Sequence, residues 1–198
     1  MNEQALVDLI QYGREERNLE YKGHENWSDI NTKTKIVKSV LGMSNIRDGG
    51  AIVIGVEQDG ETFRPVGLTQ DERDSFTQDG LSAYISEFAD PYVEVTVTHV
   101  NLDQGDLVVI QVNEFAELPV ICKKDGANNL QRGTIYTRTR RIPETAKIPS
   151  QVEMREVIDI AVEKSVRMLW GRIDRAGLDV MDSQARDLQS FEEQLEGL

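Results

Sequence analysis

Glu15, Glu16 and Glu20 lie within six positions of one another, and a second acidic group, Glu57-Gln58-Asp59, leaves the end of an apolar, β-branched run. Clustered carboxylates of this kind can hold one or two divalent ions such as Mg²⁺ or Mn²⁺. Such ions polarise a phosphodiester and generate hydroxide near neutral pH. The alternative is a solvated network of surface ion pairs. Glu20 stands out because it alternates with Leu19 and Tyr21 in a short strand pattern that puts Lys22 on the same face. A second feature suits phosphate. Between Lys123 and Lys147 there are seven bases and only two acids, among them Arg138, Arg140 and Arg141. Strand alternation would place Arg138 and Arg140 on one face and Arg141 opposite.

Other chemistries find no support. Gly50 and Gly55 have the separation of a phosphate loop, but Val56-Glu57 stands where Lys-Ser/Thr is needed to grip phosphates and Mg²⁺. His24-Glu25 has no second histidine four residues on, so the zinc-protease spacing is missing. The single cysteine, Cys122, sits in an apolar stretch as a core filler, and one cysteine cannot make an internal disulfide framework.

The elements that must position these groups follow from periodicity. Ala5, Leu6, Leu9 and Ile10 predict a first helix over 3–12. A short strand follows around Leu19–Lys22, and then a helix over Thr32–Ser44 with Ile36, Val37, Val40 and Leu41 inward. Ala51–Val56 reads as one central buried strand, followed by a turn at Gln58-Asp59-Gly60. Thr69-Gln70-Asp71-Glu72 is a capping box opening helical sequence to about Phe88, with a break expected at Gly80. Val93–Thr98 and Leu107–Val112 form a hairpin around Asp103–Asp106, with further strands at Leu118–Cys122 and Thr134–Thr139. A long helix from Ser150 to about Trp170 is expected to turn Val157, Ile158, Ala161, Val162 and Val166 inward. The fold class is α+β: a mixed, largely antiparallel sheet of about five or six strands with packed helices, plus a C-terminal helical tail.

The 198 residues suit one domain with an appendage, so we place a domain over 1–170 and a linker and acidic amphipathic tail helix over 171–198. Met181, Leu188 and Leu195 form the tail's stripe. Such a lone helix is marginal in water, which points to a homo-oligomer or assembly subunit joined through the tail. The net charge of −13 argues against a protein that coats nucleic acid with its whole surface, and leaves a local basic ribbon on an acidic body. No apolar run approaches a membrane span, and the first residues lack the pattern of a signal peptide, so no membrane partner and a cytoplasmic location are expected.

The order of these pieces resembles the Schlafen/AlbA-like domain family of bacteria and phages. The matching pieces are Glu15, then Leu19-Glu20-Tyr21-Lys22; a helix closing on Ser44-Asn45; Gly49-Gly50 leading into Ala51–Val56; Pro91; Val108–Val112; Pro119; and Tyr136-Thr137-Arg138 before Ala146 and Ser150. The resemblance covers about residues 3–168 and implies a nucleic-acid-binding module. Some members of that family are metal-dependent endoribonucleases acting on structured RNA such as tRNA, and their acidic triad maps onto Glu15, Glu20 and the position of Gln58. Glutamine supplies no charge, which leaves Glu57 or Asp59 as the third acid.

Two functions follow as expectations. In the first, the chain is a nucleic-acid-binding module within a bacterial or phage assembly, including a defence assembly, with Lys22, Lys38, Arg138, Arg140 and Arg141 contacting RNA or DNA. In the second, it is an endoribonuclease with Glu15, Glu20 and Asp59 catalytic and Glu15, Glu20 and Glu57 holding Mg²⁺ or Mn²⁺. Gln58 and the −13 charge favour binding, and the Glu15/Glu20 pair favours cleavage. A protein-interaction subunit that binds no nucleic acid is the third alternative.

Overall fold

A computed structural model describes residues 16–60, 62–140 and 142–177. The expected helix over 3–12, the side chains of Glu15 and Arg141, and the tail beyond Gly177 lie outside the described residues.

The fold is mixed α+β, as its sequence pattern predicts. Its main sheet has four strands: β1 (Leu19–Lys22), β2 (Gly50–Ile54), β7 (Gly105–Val112) and β6 (Val95–Leu102), in the order β1-β2-β7-β6. β1 runs parallel to β2 with Glu20 level with Ile52, whereas the β2–β7 and β7–β6 pairs are antiparallel. Leu19 and Tyr21 face a buried cluster with Ala51, Val53, Leu107 and Val109. Strand alternation therefore turns Glu20 to the opposite face, where helix α1 (Ile30–Ser44) lies and Ser39 reaches it. Asp29 caps α1 by accepting from the Asn31 and Thr32 amides, and Ile36, Val37, Val40 and Leu41 are fully buried at helical spacing.

Several expected boundaries shift. The apolar run 51–56 is not one strand. Gly55, at φ 100°, ends β2, and the chain turns into a hairpin of β3 (Val56–Asp59) and β4 (Thr62–Pro65). A Cβ at Gly55 would sit 2.7 Å from the Leu107 side chain, so both its space and its backbone angle suit glycine. Phe63 of β4 packs on Tyr21, with ring centroids 4.6 Å apart.

The helical stretch after Thr69 breaks at Phe76–Thr77 rather than at Gly80. α2 (Gln70–Ser75) carries the expected capping box, and Thr77 caps a separate α3 (Gln78–Ser86). The buried Phe76 side chain fixes the corner between them. The two late strands are shorter than expected and meet each other only at an antiparallel bridge between Cys122 and Thr134. β8 (Ile121–Cys122) pairs with β5 (Ala89–Asp90), and β9 (Tyr136–Arg138) pairs with β10 (Thr145–Lys147).

The chain divides into two units, Met1–Ile160 and Ala161–Leu198. Helix α4 (Gln151–Arg175) begins in the first and continues past Trp170 through Gly171. Its inward face differs from the expected one. Val157 and Ile160 are buried, while Ile158, Val162 and Val166 are exposed. Helical periodicity marks an apolar stripe, but the residues that pack are those flanking Glu156, which is anchored by Arg17.

Candidate phosphate-binding cleft

A cleft of about 420 Å³ opens between β1, α1, the 128–129 loop and the chain entering β10. Glu20 and Lys22 come from β1, where two-residue alternation puts them on one face. Lys35, Lys38 and Ser39 come from α1, where spacings of three and four put them on one stripe. Arg138 enters from the end of β9, and Asn128, Asn129, Glu144 and Thr145 complete the rim.

The floor is an ion-pair network. Oε1 of Glu20 accepts from Lys22 Nζ at 2.6 Å and from Ser39 Oγ at 3.0 Å, and Oε2 accepts from Arg138 Nη1 at 2.9 Å. Burial pushes the Glu20 carboxyl up, but Lys22, Arg138 and the Ser39 hydroxyl outweigh it and hold the group below the ordinary glutamate range. Arg138 is 2% exposed and also donates from Nε to the Arg17 carbonyl at 3.0 Å. Arg17 returns a bond from its own Nε to the Arg138 carbonyl at 2.7 Å and clasps Glu156 with both terminal nitrogens, at 2.6 and 2.8 Å. Arg140 reaches the same Glu156 at 3.3 Å. The Arg17 guanidinium, aided by Arg140, holds the Glu156 carboxyl below its usual range.

The structure thus brings Glu20, Lys22, Lys38 and Arg138 to one cleft and leaves Arg140, Glu57 and Asp59 apart from it, while Glu15 and Arg141 lie outside the described residues. Arg140 leaves the face of Arg138 because β9 ends at Arg138, and its charge meets Glu156. Asp59 is in β3 beside Arg64, at 3.8 Å. Glu57 lies against Gly23 and does not line the cleft. Gln58 folds its amide onto the Gly60 carbonyl at 3.0 Å. Lys35 and Asn129 are cleft residues that the sequence reading missed. The three-residue step from Lys35 to Lys38 carried the signal for the first. Nothing local marked Asn129, which is placed by a left-handed turn at Asn128 and Asn129. Lys38 has no carboxylate partner among the described residues, and its ammonium lies 5.9 Å from the Tyr136 ring centre.

A divalent ion is a poor fit to these groups. Both Glu20 oxygens already hold cations, and among the described residues no three His, Cys, Asp or Glu side chains gather as metal donors. Among the described residues, no helix is long and apolar enough to cross a membrane.

The profile of the family described as Schlafen, AlbA_2 matches residues 15–147. No curated protein matches the chain. Among solved structures, the DIP2311 protein from Corynebacterium diphtheriae is similar at 16% identity and a TM-score of 0.50. That match covers 77% of this chain and 27% of DIP2311, so the chain spans about a quarter of its neighbour's length. The N-terminal domain of a Nitrosomonas europaea protein related to the ATP-dependent DNA helicase RecG is 22% identical, covering 74% of this chain and 92% of that domain at a TM-score of 0.48. At 16% identity the likeness to DIP2311 is one of fold.

Proposed function

From the premise that this chain belongs to the Schlafen, AlbA_2 family, we propose that it is a nucleic-acid-binding module that grips strand phosphates in the cleft between β1 and α1. One observation carries the reading. On a chain of net charge −13, four cations (Lys22, Lys35, Lys38 and Arg138) converge on one cleft against two acids. Glu20 holds Lys22 and Arg138 in place, and it leaves Lys35 and Lys38 on the α1 wall to meet phosphate. Their ammonium groups act as point charges, and neutralising phosphates with them releases condensed counterions. The side-chain amide of Asn129 offers donors and an acceptor beside them.

Binding of this kind needs no metal, which separates it from metal-dependent cleavage. The test is incubation of the full chain with total tRNA, with labelled single-stranded RNA, and with DNA of the same sequence. Each is run with Mn²⁺ or Mg²⁺ and again with excess chelator, on native and denaturing gels. Retarded, uncut nucleic acid in both conditions is the expected result. Cleavage that needs the metal and is lost in Glu20→Gln would replace the reading with the endoribonuclease one. No retardation in either condition would leave the chain a protein-interaction subunit.

A further inference from the structure

β6 is the last strand of the main sheet, so one of its edges has no strand beside it. Such an edge is a template for another strand, and proteins usually blunt it with charge, proline or a bulge. β6 uses none of these. Its sequence, Val-Thr-Val-Thr-His-Val-Asn-Leu, contains no Asp, Glu, Lys, Arg or Pro, and its register with β7 runs unbroken from Val95 to Leu102. Five of its residues are β-branched, which suits pairing.

A side chain from outside the sheet closes part of this edge. Gln78, the first residue of α3, donates from Nε2 to the Val95 carbonyl at 2.9 Å, and its Oε1 accepts from the Val97 amide at 2.8 Å. A primary amide thus supplies the donor and the acceptor of one peptide group where a neighbouring strand would supply them. Nε2 also donates to Ser82 Oγ at 2.9 Å, four residues along α3, which fixes the amide's orientation.

The same bonds identify the outward groups of β6. Val97 gives its N–H to Gln78, so Val97 and Ile110 are a non-hydrogen-bonded pair of the ladder. The N–H and C=O groups of Val95, Val97, His99 and Asn101 therefore point away from β7. Among the described residues, no hydrogen bond reaches the outward backbone groups of His99 and Asn101. The corner between α2 and α3 does not fill the space beside them. His99 donates from Nε2 to the Phe76 carbonyl at 2.9 Å, and alternation puts Val95, Val97 and His99 on one face of the strand. The corner lies against that face, and Gln78 reaches round from it to the edge.

We propose that the β6 edge is a pairing surface for a second copy of this chain, and that Gln78 holds it closed. With the Gln78 amide withdrawn, two β6 strands related by a twofold axis run antiparallel. Val97 then stands opposite His99 of the second copy and Val95 opposite Asn101, each pair exchanging its outward backbone bonds. The main sheets of the two copies continue as one, the geometry of strand addition. A second copy is the occupant because β6 offers backbone groups and β-branched side chains, and carries no charge that would select a charged peptide or repel an identical strand.

Sedimentation of the full chain over a concentration series tests this, with circular dichroism as the check that each variant is folded. Gln78→Ala should self-associate at least about tenfold more tightly than the native chain. Val97→Pro removes an outward donor and costs β6 no bond to β7, the kind of position where an edge strand admits proline. Gln78→Ala with Val97→Pro should therefore return to the native behaviour. Gln78→Ala that sediments like the native chain would overturn the proposal. So would a double variant that associates as tightly as Gln78→Ala, since the contact would then lie elsewhere. Hydrogen exchange locates the contact without the proline. The Val97 amide should be protected in the native chain, exchange at least about tenfold faster in dilute Gln78→Ala, and regain protection as concentration rises. Protection that is indifferent to Gln78, or that stays lost at high concentration, would contradict pairing at β6.

Discussion

Replacing Arg138 by Met is expected to destabilise the protein by about 3–5 kcal/mol, the cost of leaving a buried carboxylate without one of its paired charges. The guanidinium is 2% exposed, and it bonds both the Glu20 carboxylate and the Arg17 carbonyl, so no water takes its place readily. A double variant decides whether the loss comes from the unpaired charge or from the missing side-chain volume. Arg138→Met combined with Glu20→Gln removes the carboxylate left without Arg138, although Lys22 then loses its 2.6 Å partner, and should recover part of the loss. Urea denaturation of the two single variants and the double variant measures the coupling. Additive losses would show that Glu20 and Arg138 do not depend on each other.

The same pair gives the pH response its sign. The Glu20 carboxyl titrates lower in the folded protein than in the unfolded chain, so its contribution is fully present above the ordinary glutamate value. It is lost as pH falls from that value through the lower folded one. Glu20→Gln should therefore flatten the acid side of the stability profile and leave its shape above neutrality unchanged.

The second large effect belongs to Asn45, which ends α1 and is fully buried. Its amide nitrogen donates to the carbonyls of Leu41, Val120 and Tyr136 at 3.1, 2.8 and 2.9 Å, and its oxygen accepts from the Val120 amide at 2.8 Å. One side chain thus ties the helix that carries Lys35 and Lys38 to the strand that carries Arg138. Asn45→Leu keeps the branched shape but strands the Val120 amide and the carbonyls, at about 1–3 kcal/mol for each buried group left unsatisfied. We expect a total loss above about 3 kcal/mol on that basis. Asn45→Asp should be worse, because a carboxylate would face three carbonyl oxygens. Thermal melting of both variants checks the order, and a milder loss for Asp than for Leu would contradict the bonding described.

How much of this was legible in the sequence depended on distance along the chain. Alternation over four residues placed Glu20 and Lys22 on one face of β1, helical spacing marked the buried face of α1, and Asp103–Asp106 marked the β6–β7 hairpin. These are local relations, which periodicity reports directly. The partner of Glu20 is Arg138, 118 residues away, and the partner of Arg17 is Glu156, 139 residues away, so no spacing rule could join them. Gly55 hid inside an apolar run because the run is buried on both sides of the break and composition does not register a backbone angle. The inward face of α4 was misjudged for a related reason. Apolar residues form two adjacent stripes on that helix, and only contact with the rest of the first unit chooses Val157 and Ile160.

If Lys35 and Lys38 contact phosphate in the cleft, the salt dependence of binding reports those contacts. Affinity for a labelled single strand should be measured at several salt concentrations for the native chain and for Lys35→Gln/Lys38→Gln. Each phosphate contact contributes about 0.7 to the slope of log affinity against log salt on a single strand, so the double variant should bind more weakly and lose about 1.4 from the slope. Both chains should melt alike, because Lys38 has no ion pair among the described residues and Lys35 meets Glu25 only at 3.9 Å on the surface. A native slope retained by the double variant would mean that the phosphate contacts lie elsewhere on the protein and that this cleft does not bind the strand.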